Sequence, residues 1–415
     1  MGDYLKQVEE QLVEMTERGA HRRPRPRLDA LALVAAVVAV AAVAVAISTI
    51  GGNAPRHAAA SLKHRSNATA NTPHLPKPAN TKTVSAGPNP MPPGLPPGGP
   101  VPRGFGPESF TAISELSWWL LGSAPCASPP CTSIVRTTDG GRTFRGIPAP
   151  RTQRVSQLRF ADQRDGFAYG PGLWVTHDGG GQWNQVPLSG LGGNTGNLEV
   201  RELAASGGYV FAIVTNRSTG VGELMRSPVN ADVWSALPAA GNAYAGLWVQ
   251  GSEVLLEVST QTGDQLRISH DGGQSFARYP VPPSVACQFE EPAPPTVWAH
   301  CATGMLSGVW RTVERAPAFT PADGGLPELP NSAAFGSASA TTAVTGYRQL
   351  YHTTDGGASW SQVAGPTGIT WWQYIGFTDP THGVAIGYAG SQQPSNERLY
   401  YTTDGGASYH PVSIG

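Results

Sequence analysis

The sequence predicts an all-β fold, a seven-bladed β-propeller of four-stranded blades, over residues 105–415. The tripeptide Asp-Gly-Gly, followed by an aromatic residue, occurs five times in this region, and the copies fit units of 39 to 51 residues. No stretch after residue 105 has the period of an amphipathic helix. Units of this length with several short strands are typical of propellers.

The register of the repeat defines the blades. The clear copies place their aspartates at Asp139, Asp178, Asp271, Asp355 and Asp404. Each of the two long intervals contains a degenerate copy, with Val229 or Glu314 at the aspartate position. Because two alternating apolar runs and a third strand precede the turn in each unit, we expect four strands, and therefore one blade, per unit.

The Asp-Gly-Gly turn is predicted to join the third and fourth strands of a blade. A carboxylate at this position accepts hydrogen bonds from N–H groups of its own turn, and glycine supplies the positive φ of a tight hairpin. The aromatic residue five positions later should return to the sheet and pack between blades. We therefore expect all five aspartates to be structural residues rather than active-site groups.

The repeated residues resemble the Asp-box, or bacterial neuraminidase repeat, with its pattern Ser/Thr-x-Asp-x-Gly-x-Thr-Trp/Phe. The complete unit, with Phe-x-Asp-x-x-x-Gly-Phe-Ala before the turn, is most similar to propellers of the photosystem II assembly and stability factor family, within the sialidase-like propeller superfamily. The resemblance implies the propeller fold, with the Asp-box at the outer edge, away from the ligand site. It implies no single function, because the same turn occurs in sialidases, xyloglucan-degrading enzymes and sortilin-type receptors.

Residues 28–50 are predicted to form a transmembrane helix. Ala30 to Ile47 contains no polar side chain, and at ~1.5 Å per residue the whole segment spans about 35 Å. The basic run HRRPRPR precedes it, so the positive-inside rule places the N-terminus in the cytoplasm and the C-terminal part outside, in a bacterial envelope. A cleaved signal peptide is the alternative.

Two further segments flank this helix. Residues 1–27 form a cytoplasmic head with a short amphipathic helix, whose apolar stripe would dock on a cytoplasmic partner or lie against the inner membrane face; the stripe consists of Leu5, Val8, Leu12 and Met15. Residues 51–104 are predicted to be a disordered Pro-rich linker, since eight of the fifteen residues from 88 to 102 are proline. A ligand for a proline-recognition domain is the alternative.

Charge and cysteine content restrict the partners. From residue 105 onward the chain has 16 arginines, no lysine and 23 acidic residues, which argues against a nucleic-acid partner. Outside the cytoplasm, the four cysteines are expected to form the disulfides Cys126–Cys131 and Cys287–Cys301. A zinc site is the weaker alternative, because zinc-ligand spacing is missing. We expect no metal or other cofactor.

The ligand site is expected at the mouth of the central channel, on loops opposite the Asp-Gly-Gly turns. Arginines on these loops have the planar group that pairs with carboxylate or phosphate, although loop arginines are ordinarily solvated. Two adjacent tryptophans on one strand face opposite ways, so one should be core and the other exposed as a stacking platform or packed between blades. The candidates are Arg151, Arg154, Arg217, Arg348, Arg398, Trp371 and Trp372.

The predicted function is non-catalytic binding of a protein or glycan by a membrane-displayed propeller. The alternative is a sialidase-like glycoside hydrolase, which needs a tyrosine nucleophile, a glutamate to activate it, an aspartate acid/base and three arginines. The sequence departs from that pattern. The nearest match to the Arg-Ile-Pro motif is FRGIPAP, interrupted by Gly146, and no Glu–Tyr pair is singled out by spacing.

Overall fold

The computed structural model describes residues 94–414 except 129–130, 153–154, 189–196, 239, 242, 261–262, 283–286, 294–295, 314–315 and 392–395. The described residues belong to one compact unit, Thr83–Gly415. The predicted head, the transmembrane helix, the linker as far as residue 93, Arg154 and Glu314 lie outside the described residues. Within the described ranges, no helix has the length and apolar character needed to cross a membrane.

The predicted seven-bladed propeller of four-stranded blades is confirmed. Each blade is an antiparallel sheet whose strands follow one another in chain order. From blade one to blade seven, the first strand of each blade contacts the first strand of the next. The first strands therefore surround the central channel, and the short fourth strands form the outer rim.

The strand bounds show how unequal the blades are. Blade one contains β1 (Gly106–Ala112), β2 (Trp118–Ser123), β3 (Thr132–Thr137) and β4 (Arg145–Ile147). Blade two contains β5 (Gln157–Phe160), β6 (Gly166–Tyr169), β7 (Leu173–Thr176) and β8 (Asn184–Gln185). Blade three contains β9 (Leu198–Ser206), β10 (Tyr209–Asn216), β11 (Gly222–Pro228) and β12 (Ser235–Ala236). Blade four contains β13 (Tyr244–Gln250), β14 (Glu253–Thr260), β15 (Gly263–Ser269) and β16 (Ala277–Tyr279).

The remaining three blades follow the same order. Blade five contains β17 (Cys287–Ala293), β18 (Thr296–Thr303), β19 (Leu306–Val313) and β20 (Ala316–Pro321), and the additional strand β21 (Leu329–Pro330) pairs with β19. Blade six contains β22 (Ala334–Ser337), β23 (Ala343–Gly346), β24 (Leu350–Thr353) and β25 (Ser361–Gln362). Blade seven contains β26 (Trp371–Phe377), β27 (Gly383–Tyr388), β28 (Glu397–Thr402) and β29 (His410–Val412).

The Asp-Gly-Gly turns are held by a repeated set of hydrogen bonds. In blade one the Asp139 carboxylate accepts from Thr137 Oγ1 at 2.7 Å, from Thr143 N at 2.9 Å and from Thr143 Oγ1 at 2.6 Å. Thr137 Oγ1 accepts from Gly141 N at 3.0 Å. Hydrogen bonds from Ser359 and Thr353 lower the pKa of the equivalent Asp355 to about 2. The same hydroxyl-to-carboxylate bond is present at Asp178, Asp271, Asp355 and Asp404.

The first glycine of each turn connects it to the turn between the first two strands of the same blade. Gly140 N donates to Leu116 O at 3.0 Å. The equivalent bonds, of 2.8 or 2.9 Å, join Gly179 to Arg164, Gly272 to Ser252, Gly356 to Thr341 and Gly405 to Thr381. The second glycine is required for a different reason: at Gly357, with φ of 83°, a Cβ would lie 2.1 Å from Ala322 O in the preceding blade.

The degenerate copies use other solutions. In blade three Val229 N donates to Gly208 O at 3.0 Å, which preserves the bond to the first turn of the blade without a carboxylate. Ser227 Oγ donates to Ala231 O and accepts from Val233 N, so a hydroxyl organises this turn. In blade five Val313 of β19 pairs with Ala316 of β20.

Residues 94–104, at the end of the predicted linker, pack on the propeller. Leu95 is buried, and its side chain lies against Gly179 in the Asp turn of blade two. Arg136 donates to Pro96 O at 2.7 Å, and Gly99 forms an antiparallel bridge with Gly146. Ordered packing thus begins before the expected boundary at residue 105. The apolar side chain of Leu95 packs on blade two, and the carbonyl groups of Pro96 and Gly99 accept hydrogen bonds from blade one.

The ring closes by side-chain packing. Among the described strands, none is shared between blades seven and one. A cluster from blade one, including Phe110, Trp118 and Leu120, packs on Val384 and Ile386 of blade seven. Apolar burial rather than strand exchange therefore joins the two ends of the sheet series.

The predicted disulfides are confirmed. Cys126–Cys131 closes the loop between β2 and β3, and Cys287–Cys301 joins the paired strands β17 and β18. No group of three or more potential metal-ligating side chains is found within the described ranges.

Replacing Asp139 by alanine is expected to lower the free energy of unfolding by about 1–3 kcal/mol, because it removes the acceptor of three hydrogen bonds. The midpoint of urea unfolding measures the change. Asp323→Ala is the matched control, because Asp323 is exposed and its recorded hydrogen bond to the described part of the chain is made by its backbone carbonyl. Equal midpoints for the two variants would show that the carboxylate does not stabilise the turn.

Candidate functional site

Four bulged residues mark the channel end opposite the Asp turns. In the first strand of blades one, three, four and seven, the pairing with the second strand skips one residue. The skipped residues are Glu108, Arg201, Ala245 and Gln373, and all four are exposed. A bulge turns a side chain away from the regular alternation of a strand. Because these strands surround the channel, the bulges direct four side chains from different blades to one mouth.

A cluster of ionisable groups lies deeper in the channel. Arg159 on β5 donates through Nε to Leu203 O of blade three at 3.4 Å and is hydrogen-bonded to the Tyr169 hydroxyl. Its charge acts on Glu202 of β9, Glu290 of β17 and Tyr374 of β26. Four blades thus contribute to one network, in which Arg159 and Arg201 both act on Glu202 and Arg159 also acts on Glu290.

Burial raises the pKa values of these acids. Desolvation and the nearby Glu202 raise the pKa of Glu290 to about 7, against the opposing effects of a hydrogen bond from Gln288 and the charge of Arg159. Burial also raises the pKa of Tyr374, which Arg159 partly offsets. A carboxyl group that titrates near neutrality beside a phenol is suited to proton transfer.

Glu257 adds a third perturbed carboxyl group. It lies on β14, buried, with its Oε2 only 3.1 Å from the position that a Cβ on Gly246 would occupy. Burial, followed by the charges of Asp264 and Glu202, raises its pKa to about 8. The group is therefore largely protonated at neutral pH.

Four of the predicted arginines lie on different blades or connections. Arg151 is exposed between blades one and two, and Arg217 pairs with Glu199 at 3.3 Å in blade three. Arg348 is exposed in the β23–β24 turn, and Arg398 Nη1 donates to Glu397 O at 2.8 Å.

The tryptophan pair divides between two environments. Trp371 is half-buried, stacks on Tyr388 with ring centroids 5.4 Å apart, and donates through Nε1 to Ser332 O at 3.3 Å. Trp372 faces the opposite way, is buried, and packs edge-on against Tyr400. One face of the Trp371 ring is thus already occupied by Tyr388, and Trp372 belongs to the interface of blades six and seven.

Sequence reasoning missed the channel network because it examined loops. The members of the network lie in first or second strands, separated along the chain by whole blades. A charged residue is unusual in a buried strand, so Arg159, Glu202 and Glu290 could have been found by aligning the repeats and searching for charge in the first strand. The bulges leave no comparable signal in the sequence.

Comparisons with known proteins are consistent with this architecture. No family model matches the chain, and no curated protein matches it. A solved structure of YCF48 bound to D1 peptide superposes with a TM-score of 0.51 and 18% identity, over 74% of this chain and 95% of that chain. YCF48 from Cyanidioschyzon merolae superposes with a TM-score of 0.47 and 16% identity, over 65% and 89% of the two chains.

A puromycin-hydrolyzing peptidase of Mycobacterium tuberculosis superposes with a TM-score of 0.55 and 12% identity, over 76% of this chain and 57% of that chain. These identities show the fold alone. The predicted resemblance to photosystem II assembly factor propellers is confirmed at that level.

Replacing Glu257 by glutamine is expected to change the pH dependence of stability. The pKa of the Glu257 carboxyl is raised from 4.5 to about 8 in the folded protein. Its contribution to the free energy of unfolding is therefore complete below pH 4.5 and is lost as the pH rises towards 8. Glutamine resembles the protonated form at every pH. The variant should therefore gain about 3 kcal/mol of stability relative to the wild type between pH 5 and pH 8.

Urea unfolding at these two pH values measures that difference. Glu328→Gln, at an exposed position, is the matched control and should show no pH-dependent difference. A constant difference for Glu257→Gln would mean that Glu257 is ionised in the folded protein.

Proposed function

We propose that this chain is a membrane-anchored scaffold that binds a protein partner, without catalysis, at the channel mouth of an extracytoplasmic propeller. Residues 28–50 form the anchor, residues 1–27 lie in the cytoplasm, where the helix has its own partner, and residues 51–93 form the stalk. The observation that carries the proposal is the set of four bulges, which present exposed side chains from four blades at one end of the channel.

The character of the mouth supports a macromolecular partner. The mouth combines a negative, a positive and a neutral polar side chain on different blades, namely Glu108, Arg201 and Gln373. Polar groups dispersed in this way suit a broad protein surface better than one small ligand. YCF48, a propeller of similar fold, has been solved bound to D1 peptide. The alternative ligand for the same channel mouth is a glycan.

The position of the N-terminal arm supports the arrangement. Leu95 contacts the Asp turn of blade two, on the side of the propeller opposite the bulges. A stalk that approaches from this side leaves the mouth open to a partner. The two disulfides agree with folding in an oxidising compartment.

A photo-cross-linking residue tests the mouth directly. Placed at Gln373 in the full-length chain in its native cells, it is expected to form one discrete adduct, and the same adduct is expected from Glu108, since both flank the channel. Placed at Gln274, which is exposed in the Asp turn of blade four, it should not form this adduct. Identical adducts from all three positions, or none from the mouth, would contradict the proposal.

A glycoside hydrolase remains the second candidate, because Tyr374, Glu290 and Arg159 combine the groups of such a site in one channel. Two arginines, Arg159 and Arg201, act on the carboxyl groups of the described channel network, whereas the sialidase pattern requires three. We therefore expect no hydrolysis of fluorogenic sialosides or other glycosides by the full-length chain. The matched control is Tyr351→Phe, at a partly exposed site on β24. Turnover that is abolished by Tyr374→Phe and retained in this control would show that the protein is an enzyme rather than a scaffold.

A further inference from the structure

The N-terminal arm is attached to the propeller through a small number of contacts. Among residues 94–100, Leu95 alone is buried, and its side chain lies against the Asp turn of blade two. Gly99 exchanges two backbone hydrogen bonds with Gly146, of 2.8 and 3.0 Å. Three of the seven residues are prolines, which have no N–H group to extend this pairing. Residues 94–100, which we call the strap, are therefore held by one apolar side chain and a few hydrogen bonds.

Elsewhere in the ring, arginines at one repeat position join neighbouring blades. The position lies on the third strand, three residues before the aspartate position of the turn. In blade three it holds Arg226, whose Nη1 donates to Gly272 O in the Asp turn of blade four at 2.9 Å. In blade five it holds Arg311, whose Nη1 donates to Ala340 O of blade six at 2.7 Å.

Both arginines also pack against the first glycine of the next Asp turn. A Cβ on Gly272 would lie 3.2 Å from Arg226 Nη1. A Cβ on Gly356 would lie 2.3 Å from Arg311 Cζ. At these two junctions, the space beside the glycine is therefore filled by a guanidinium group from the preceding blade.

The strap takes this space at the junction of blades one and two. Blade one has Arg136 at the same repeat position, and blade two has Gly179 as the first glycine of its Asp turn. Here a Cβ on Gly179 would lie 2.4 Å from Leu95 Cδ2 and 3.4 Å from Pro96 Cδ. Arg136 donates through Nη2 to Pro96 O at 2.7 Å instead. The strap thus stands between an arginine and the kind of turn that Arg226 binds.

Release of the strap would leave Arg136 with another acceptor nearby. Pro96 lies against both Arg136 and Gly179, so one strap residue separates the guanidinium group from the turn of blade two. With the strap gone, Arg136 can donate to Gly179 O, as Arg226 donates to Gly272 O. The hydrogen bond lost to Pro96 is then replaced, and release costs mainly the burial of Leu95 and the bridge at Gly99.

We propose that residues 94–100 are a releasable strap that sets the length of the tether between the propeller and its anchor. In the bound state Leu95 covers Gly179 and Arg136 donates to Pro96 O. In the released state Arg136 donates to Gly179 O, and the chain is free as far as Val101, which packs in the cluster that closes the ring. Release lengthens the tether by seven residues, or about 25 Å at most.

The anchor end of this inference rests on the proposed function, whereas the two states of the strap do not. The proposed stalk ends at residue 93, so a pull on the anchor acts first on Leu95. The strap therefore opens before a blade does, because its contacts are independent of the strand ladders.

Hydrogen exchange of the full-length chain in detergent tests the strap. The reporter is the Gly146 amide, which donates to Gly99 O at 3.0 Å. The reference is the Leu237 amide on the outer edge of blade three, which donates to Leu224 O at 2.9 Å. We expect a protection factor at least about tenfold lower for Gly146, because the strap opens while the blades remain folded.

Leu95→Gln shifts the equilibrium towards release. The variant loses the apolar contact with Gly179, so the protection factor of Gly146 is expected to fall at least about tenfold further. The urea midpoint of the propeller should stay at the wild-type value. Val233→Gln, at an exposed position in the turn of blade three, is the matched control and should change neither quantity.

Arg136→Met tests whether the arginine has an acceptor in both states. Methionine fills the space without the donors, so each state then loses one hydrogen bond, and the protection factor of Gly146 stays within about twofold of the wild type. If the strap held the only acceptor, the bound state alone would lose a bond, and protection would fall at least about fivefold. Arg226→Met is the matched control and should leave Gly146 unchanged.

Three results would overturn the proposal. They are equal protection of Gly146 and Leu237 in the wild type, a lower urea midpoint in Leu95→Gln, and loss of Gly146 protection in Arg136→Met. Because Arg136 is buried, the decision on release rests on the wild type and on Leu95→Gln, which lies outside the blades. Cross-linking at the channel mouth depends on none of these quantities, so the two proposals fail independently.

Discussion

The hydrogen-bonded carboxylate of the Asp turn is the interaction on which the propeller depends. The fourth strands of blades two and six contain two residues each, too few for a ladder to hold them alone. The carboxylate and the adjacent hydroxyl satisfy the N–H groups of the turn, and the first glycine joins this turn to the one between the first two strands. The outer edge of a narrow blade is thus bonded to its inner part.

Blades that lack the aspartate compensate with longer ladders. In blades three and five the first three strands have seven to nine residues, compared with four in blades two and six. Each added residue pair contributes backbone hydrogen bonds and cross-strand contacts. The substitution of Val229 for an aspartate is therefore tolerated where pairing is extensive. Blade four has both devices, so the two are not mutually exclusive.

The same architecture separates structure from recognition. The Asp turns and the N-terminal arm occupy one side of the propeller, and Leu95 covers a turn there. The bulged residues and a cavity beneath the 363–369 connection lie away from these turns. The bulged residues are skipped by the strand pairing, and the cavity is lined mainly by a loop. Inside the channel, the charge of Arg159 partly offsets the desolvation of Glu202 and Glu290. Binding surfaces on this fold can therefore vary without disturbing its turns.

The sequence by itself determined the fold class, the number of blades, the Asp turns and the disulfide pairs, because each depends on contacts between residues close along the chain. A carboxylate, a hydroxyl and two glycines within a few positions specify a turn whatever surrounds it. The tertiary structure alone decided which distant residues meet. It placed Arg159 where its charge acts on Glu202, Glu290 and Tyr374, because first strands converge on one axis regardless of their separation in sequence.

The outcome for the candidate arginines has the same physical cause. Loop position indicated that Arg151, Arg217, Arg348 and Arg398 share one side of the propeller, and the ring of blades distributes them over different elements. Only Arg348 is combined with Trp372, since the connection from β25 to β26 covers the interface where both lie. Local pattern therefore determined the repeated unit, and the closure of seven such units into a ring decided where a ligand can bind.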